Sequence, residues 1–420
     1  MNLENARVSL NKKLHVETEQ PENVWDCSVP VEKSAYVQEI EPLFFNINKL
    51  NVPANALTML DLFCGAGGFS VGCSWAGFFP VLGIDYLKPA VETWKKNHPH
   101  SISCLGDIRQ TDPVKIKKLL DDKEVKRINL ITGGVPCQGF SIANRKHNDN
   151  DARNFLFLEY MRFVKIFNPD YIILENVSGL RSTAGGQFEE SIKSHMQALN
   201  YEVTVSIVNA AEYGVPQLRQ RLIFVGVKKD RSLTIPFNVP QGHFNSSDMY
   251  RTVEMAISDL PHLGNGEQKT AYFTAPQNEY QALMRGAGDI PIPRPIQLMN
   301  HASPNHPPET IEKIKNTPQG MPMYPKFKQR IRLALNAPSP TQLAGGIRPQ
   351  FQFGHPTQPR GESIRERARI QSFPDSYEFV GGTVQERVLT GNAVPPLMIY
   401  EIVKPIAEDI RRRNKEGENV

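Results

Sequence analysis

Three stretches of this chain carry side chains suited to covalent and acid–base chemistry, each beside a break in an apolar run. Cys137 lies in Gly133-Gly-Val-Pro-Cys-Gln-Gly-Phe-Ser141, a glycine-bracketed loop in which the thiol directly follows a proline. Such a thiol can act as a covalent nucleophile once it is a thiolate, and the flanking glycines let the backbone approach a planar substrate. Glu175 follows the apolar run Asp170-Tyr-Ile-Ile-Leu174 and opens Glu175-Asn176-Val177, where a carboxyl group can serve as a general acid or base. Tyr213-Gly-Val-Pro-Gln217-Leu-Arg219-Gln-Arg221 puts Gln217, Arg219 and Arg221 on alternate residues, so an extended chain would point them one way. Each has a plain alternative: an inert cysteine in a tight loop, a carboxylate capping a turn, a solvated pair of arginines. A thiol and a carboxylate offered by neighbouring strands favour a shared site.

The elements around them must bring them to one edge. Arg127-Ile-Asn-Leu-Ile-Thr132 has the composition of a buried strand, which puts Cys137 just past a strand's C-terminal end. Leu57-Thr-Met-Leu-Asp-Leu-Phe63 reads as a strand, Cys64-Gly65-Ala66-Gly67-Gly68 as a glycine turn, and Phe69 to Ala76 as a helix. That order lets backbone N–H groups face a ligand at a helix N-terminus. A second run, Phe79 to Ile84, ends in Asp85, an acid about 20 residues past the glycines and suited to ribose hydroxyls. A structural turn or a nicotinamide or flavin enzyme would begin the same way. Helical Lys88 to Asn97, a strand from Ile102 to Ile108, and amphipathic Val114 to Leu120 continue the alternation. It predicts an α/β fold, a doubly wound, mostly parallel sheet covered on both faces. From about Leu233 to Arg360 prolines and glycines are dense, which predicts a second, smaller, loop-rich domain with short strands. The polar stretch Asn144 to Arg153 reads as a mobile loop able to close over substrate, or a plain surface loop. Gly391 to Pro396 reads as a turn, and Leu397 to Arg413 as an amphipathic helix.

Bulk composition narrows the classes. The 420 residues suggest roughly two domains, 40% are hydrophobic and 22% charged, and no apolar run of about 18 residues exists to span a membrane. The N-terminus lacks the apolar core of a secretory signal, so a cytoplasmic location is expected. Five cysteines without CxxC spacing point away from disulfides and from a metal site. A net charge of +4 says little, but Pro304 to Arg360 holds Lys313, Lys315, Lys326, Lys328, Arg330, Arg332, Arg348 and Arg360 against Glu309 and Glu312. This basic segment is a phosphate-gripping surface or a solvated face.

With the glycine turn, the Pro136-Cys137-Gln138 loop, Glu175-Asn176-Val177 and the Gln-x-Arg-x-Arg segment, the chain resembles the DNA (cytosine-5) methyltransferases of the bacterial restriction-modification type. The likeness spans Met59 to Ile108, Gly133 to Ser141, Arg153 to Val177, Tyr213 to Gly226, Arg365 to Phe379 and Gly391 to Pro396. It implies a Rossmann-like catalytic domain of residues 55–232 plus 361–420, built from both ends of the chain. Residues 233–360 are then a target-recognition domain, and residues 1–54 an N-terminal extension. S-adenosyl-L-methionine is the implied methyl donor, with Phe63 stacking on adenine, Gly65, Ala66, Gly67 and Gly68 facing the methionine part, and Asp85 binding ribose. Asp107 and Ile108 contact the adenine, and Tyr86, Pro136, Leu156, Asn392, Ala393 and Val394 complete the pocket. Cys137 adds to C6 of a flipped-out cytosine, Glu175 serves N3, and Arg221 holds the O2 side with Arg219 and Gln217 in support. Double-stranded DNA is the implied partner, the protein is expected to be monomeric and nucleoid-associated, and the family leaves room for a companion restriction endonuclease. Three rivals stand beside this reading: a tRNA methyltransferase, whose branch carries a Cys-Phe-Thr signature not found here; an inactive methyltransferase-like DNA-binding module; and a nicotinamide oxidoreductase.

Overall fold

The computed structural model describes residues 41–136, 156–231, 236–344 and 351–417. Cys137 and the polar stretch to Arg153 lie outside the described residues, as does Arg348. The frame is an eight-stranded sheet of β1 (Leu43–Phe45), β2 (Leu57–Leu62), β3 (Phe78–Asp85), β4 (Ile102–Leu105), β5 (Leu130–Gly134), β6 (Tyr171–Val177), β7 (Tyr201–Asn209) and β8 (Gln220–Lys228), ordered β1-β4-β3-β2-β5-β6-β8-β7. β4, β3, β2, β5 and β6 run parallel. β1, β8 and β7 join antiparallel at the two ends. The expected doubly wound α/β fold is what forms.

Both faces of the sheet are buried, which is why its central strands read as continuous apolar runs rather than alternating ones. In β6, Tyr171 and Ile173 enter one core while Ile172 and Leu174 enter the other. The first core is covered by α1 (Gly68–Trp75) and the last helix, α11 (Pro396–Gly417). The second lies under α3 (Pro113–Asp122), α4 (Leu156–Phe167) and α5 (Gln187–Ala198). Pro80 sits within β3, where it has no N–H to donate. The register slips there: Met59 faces Pro80, Leu60 faces Leu82, and Val81 is the extra residue of a bulge.

Strand order reverses between β2 and β5. The chain lays β3 and β4 to one side of β2, then returns to place β5 on the other. The crevice outside the C-terminal ends of these two strands is where such sheets bind ligands, and the glycine turn and the Pro136 loop both start there.

The remaining helices are α2 (Lys88–Asn97), α6 (Val253–Ile257), α7 (Glu279–Met284), α8 (Pro308–Asn316), α9 (Ile364–Ile370) and α10 (Thr383–Asn392). The expected short strands between 233 and 360 do not form among the described residues. Only isolated bridges do, such as Pro322 with Ile331 and Arg332 with Gly354, because frequent prolines withhold the N–H groups a ladder needs. Residues of this region, among them Val253, Tyr280 and Leu298, share the first core with α9 and α11. No helix among the described residues is long and apolar enough to cross a membrane.

Candidate active site

At the C-terminal edge of β6, Glu175 pairs with Gly134 of β5 on one side and Ile223 of β8 on the other. β8 runs antiparallel, so its first residues reach the edge at which β5 and β6 end. Arg221, opposite Val177, stands diagonally from Glu175 on the same face, and its Nε donates to Glu175 Oε1 at 2.7 Å. Both side chains are about nine-tenths buried. Burial pulls the Arg221 guanidinium below its ordinary pKa, and the neighbouring Glu175 opposes this. The other carboxylate oxygen, Oε2, turns toward Gly134, 3.5 Å from where a side chain there would begin. Two residues further along is half-buried Pro136, and then Cys137.

Of the three alternating residues, only Arg221 meets Glu175. Gln217 accepts the Gln342 N–H at 2.9 Å, and Arg219 donates to the carbonyls of Gln342 and Gly391, both at 3.1 Å. The two buried side chains tie the segment at Gln342, and Arg219 also ties the end of α10, to the start of β8. Asn176, which the sequence offered with no role of its own, donates to the Val135 carbonyl at 3.1 Å and braces the loop that leads to Cys137.

The glycine turn sits on a buried acid. Asp61 of β2 accepts from Ser70 Oγ at 2.5 Å and Ser70 N at 3.2 Å, and Ser70 Oγ accepts Trp94 Nε1 at 2.9 Å. Burial pushes the Asp61 carboxyl up to about 7, against the pull of Ser70 and Thr132. Above it Phe63 is half-buried in the left-handed region, with φ 60°. Gly65 N–H donates to Asp85 Oδ2 and Leu87 N–H to Asp85 Oδ1, both at 2.9 Å. A carboxylate has about four acceptor sites, so capacity remains at Asp85 for hydroxyl donors. The carbonyl of Ala66 accepts Tyr377 Oη at 2.6 Å, and Gly67 is the N-cap of α1. Gly68 is required by close approach: a Cβ there would stand 2.0 Å from the Val394 carbonyl oxygen.

Of the pocket's other expected members, Val394 packs against this turn at Gly68. Tyr86 is 58% exposed, Leu156 is half-buried at the start of α4, and Ala393 and Val394 are buried. The expected turn at Gly391 begins later, because Gly391 and Asn392 still belong to α10. Asp107 is held by Arg109, whose Nε and Nη2 reach its two oxygens at 2.9 and 2.5 Å, and Ile108 is buried. This loop has a brace that spacing did not reveal. Arg162 of α4, buried and paired with Glu159 at 2.8 Å, donates Nη2 to the carbonyls of Ile108 and Thr111 at 2.8 and 2.9 Å. The only sequence signal is a Glu–Arg pair three apart on a helix.

Two corrections concern charge. Arg360 and Arg332, counted with the basic segment, face inward. Arg360 is buried against Glu366 at 2.6 Å, and Arg332 donates to the carbonyls of Lys315 and Thr317. Lys326 and Lys328 remain exposed around Phe327, with the Arg330 guanidinium over its ring.

A family model described as C-5 cytosine-specific DNA methylase matches residues 57–408. The type II methyltransferase M.DdeI of Desulfomicrobium norvegicum is 34% identical, covering 84% of this chain and 88% of that protein. M1.HphI of Haemophilus parahaemolyticus, another type II methyltransferase, is 31% identical over 86% of this chain and 90% of its own. Among solved structures, a prophage-encoded E. coli protein assigned as a DNA modification methyltransferase superposes with a TM-score of 0.70 at 25% identity, covering 85% of this chain and all of that one.

Proposed function

Because the chain belongs to the C-5 cytosine-specific DNA methylase family, we propose that it methylates C5 of a flipped-out cytosine within a specific double-stranded DNA sequence, through a covalent bond between Cys137 and C6. The observation that carries this is the Glu175–Arg221 pair at the edge where β5 and β6 end, one strand away from the loop that bears Cys137.

The residues at the strand-order reversal fit an adenosyl ligand. Asp85 has acceptor capacity for ribose hydroxyls, and Asp107 and Ile108 form a braced edge for the adenine. Phe63, Tyr86, Gly65 to Gly68, Pro136, Leu156 and Asn392 to Val394 would close round the rest. S-adenosylmethionine, when bound, supplies an electrophilic methyl group at this edge. The chain must then make C5 nucleophilic. The Cys137 thiolate adds to C6, and the C5–C6 electron pair moves to give an enamine whose C5 would take the methyl group as its bond to the sulfonium sulfur breaks, with S-adenosylhomocysteine as the leaving group. Glu175 donates to N3 and stabilises that enamine, while Arg221 fixes the Glu175 carboxyl and faces the O2 side. Water takes the C5 proton, the C5–C6 double bond re-forms as the C6–S bond breaks to release the Cys137 thiolate, and N3 returns its proton to Glu175, which leaves 5-methylcytosine. The reacting base must leave the duplex stack, at a cost of a few kcal/mol.

The three cysteines among the described residues support this division of labour. Cys64, Cys73 and Cys104 are buried free thiols, and burial raises each thiol's pKa, that of Cys104 to about 12. None is poised as a thiolate. Residues 233–360 are the proposed target-recognition domain, with Lys326 and Lys328 gripping phosphates; 55–232 with 361–420 form the catalytic domain, and 1–54 an extension. A monomer acting on chromosomal DNA in the cytoplasm completes the proposal.

The test is a duplex carrying 5-fluorocytosine at candidate targets, incubated with S-adenosylmethionine. Fluorine cannot leave as a proton does, so an adduct should accumulate and map to Cys137. An adduct on Cys64, Cys73 or Cys104, or methyl transfer to tRNA and not to DNA, overturns the proposal.

A further inference from the structure

A second cavity, of about 370 Å³, is lined by the start of α10, the loop before it and the segment around Asn300. Four charged side chains line it: Glu362, Glu378, Glu386 and Arg387. The three acids are partnered. Glu362 accepts from Gln342 at 2.7 Å and Arg367 at 3.3 Å, Glu378 faces Lys96 at 3.4 Å, and Glu386 accepts Asn300 Nδ2 at 3.0 Å. Arg387 is not. It is 1% exposed, and both terminal nitrogens, Nη1 and Nη2, are buried without a hydrogen-bond partner.

Its place in the helix adds to the imbalance. Arg387 is the fifth residue of α10 and lines the same cavity as Gly381 and Thr383 at the helix start. The first turn has free N–H groups, and its N-cap, Gly382, supplies no side-chain acceptor. Cations are disfavoured at this positive end of a helix. A buried guanidinium and an uncapped helix start therefore converge on one cavity, and both call for an acceptor with several oxygens. Burial also raises Glu362 and Glu386 to about 7, which lowers the negative charge around it near neutrality.

We propose that this cavity is an anion site in which a tetrahedral phosphate group bridges Arg387 and the N-terminus of α10. The group is either free inorganic phosphate or a DNA backbone phosphate; the second source rests on the DNA methyltransferase reading, whereas the first does not.

The full-length protein, without DNA, is titrated into inorganic phosphate and followed by phosphorus-31 line width. Its thermal unfolding is compared in phosphate and chloride at equal ionic strength. Saturable broadening that sulfate reverses, with a phosphate-specific rise in Tm, is expected for the wild type. Arg387→Gln should remove both effects, and Arg387→Lys, which keeps charge without the two-pronged fork, should weaken binding at least tenfold. In a second arm, a drop of about one in the slope of log K against log salt for duplex binding by Arg387→Gln assigns the group to DNA. An unchanged slope assigns it to free phosphate. If wild-type protein neither broadens the phosphate line nor distinguishes phosphate from chloride, the cavity holds water and the proposal is overturned, even should Arg387→Gln fail to fold.

Discussion

Glu175 divides its two oxygens between jobs: Oε1 holds Arg221 and Oε2 faces the end of β5. Replacing the carboxyl by an amide keeps its size but removes a group able to give and retake a proton. Glu175→Gln should therefore lower single-turnover methyl transfer by about 10²-fold, the usual scale for general acid catalysis, with little change in S-adenosylmethionine affinity. Rapid-quench assays on a cognate duplex measure the first, and equilibrium titration the second; unchanged turnover would reduce Glu175 to an anchor for Arg221. At this scale the sequence was informative where chemistry and position coincide. Glu175 and Arg221 could be named because each borders an apolar run that had to end at the sheet's edge. Arg219 looked the same in sequence, yet its guanidinium is spent on two backbone carbonyls. Alternation predicts direction only in an extended strand, and β8 begins at Gln220, so Gln217 and Arg219 precede it.

Among the elements, α4 does more than cover the sheet. Its Arg162 holds the Asp107–Thr111 loop through two carbonyls, so this helix positions the edge proposed for adenine. Arg162→Met should raise the KM for S-adenosylmethionine by about tenfold or more while kcat changes little, because hydrogen bonds to a charged group contribute about 1.5–3 kcal/mol. Arg162→Lys should recover part of it. A fall in kcat with KM unchanged would show instead that α4 acts through the catalytic loop. The strands and the glycine turn were legible because period, length and turn residues are local signals. Arg162 was not, because its partners lie 54 and 51 residues upstream and its own neighbours are those of any amphipathic helix. β1 was missed as a strand for a related reason: three residues, Leu43–Phe45, are too short for a period and depend on the edge of β4 for their hydrogen bonds.

Across the whole molecule, buried ionisable groups pull stability in opposite directions. Asp61, Asp85, Glu362 and Glu386 are raised by burial, so the folded chain keeps protons that the unfolded chain has lost; their contribution is full at about pH 4 and falls as pH rises, for Asp61, Glu362 and Glu386 toward about 7. His98, His195, His301, His306 and His355 are lowered by burial, so the unfolded chain binds more protons and stability rises with pH up to about 6.5. Among the described residues, four falling and five rising contributions share one window. The urea midpoint should change little between pH 4.5 and 6.5, and Asp61→Asn, by removing one falling contribution, should make it climb with pH. A variant with the same pH profile as wild type would mean Asp61 is ionised in the fold.

The seam between α1 and α11 also orders events during synthesis. Arg411 donates to the Ala76 carbonyl 335 residues earlier, and a Cβ at Gly72 would stand 2.4 Å from the Pro396 carbonyl oxygen. At roughly 5–20 residues per second, a translating ribosome leaves α1 and the turn proposed to face the cofactor uncovered for roughly twenty seconds to a minute. A chain cut before Pro396 never acquires that cover. Stalled nascent chains ending at Ala393 should fail to retain S-adenosylmethionine and should be cleaved near α1 by added protease, whereas chains stalled beyond an added linker after Val420 should do neither. The turn proposed to face the cofactor is therefore covered only once α11 has been made.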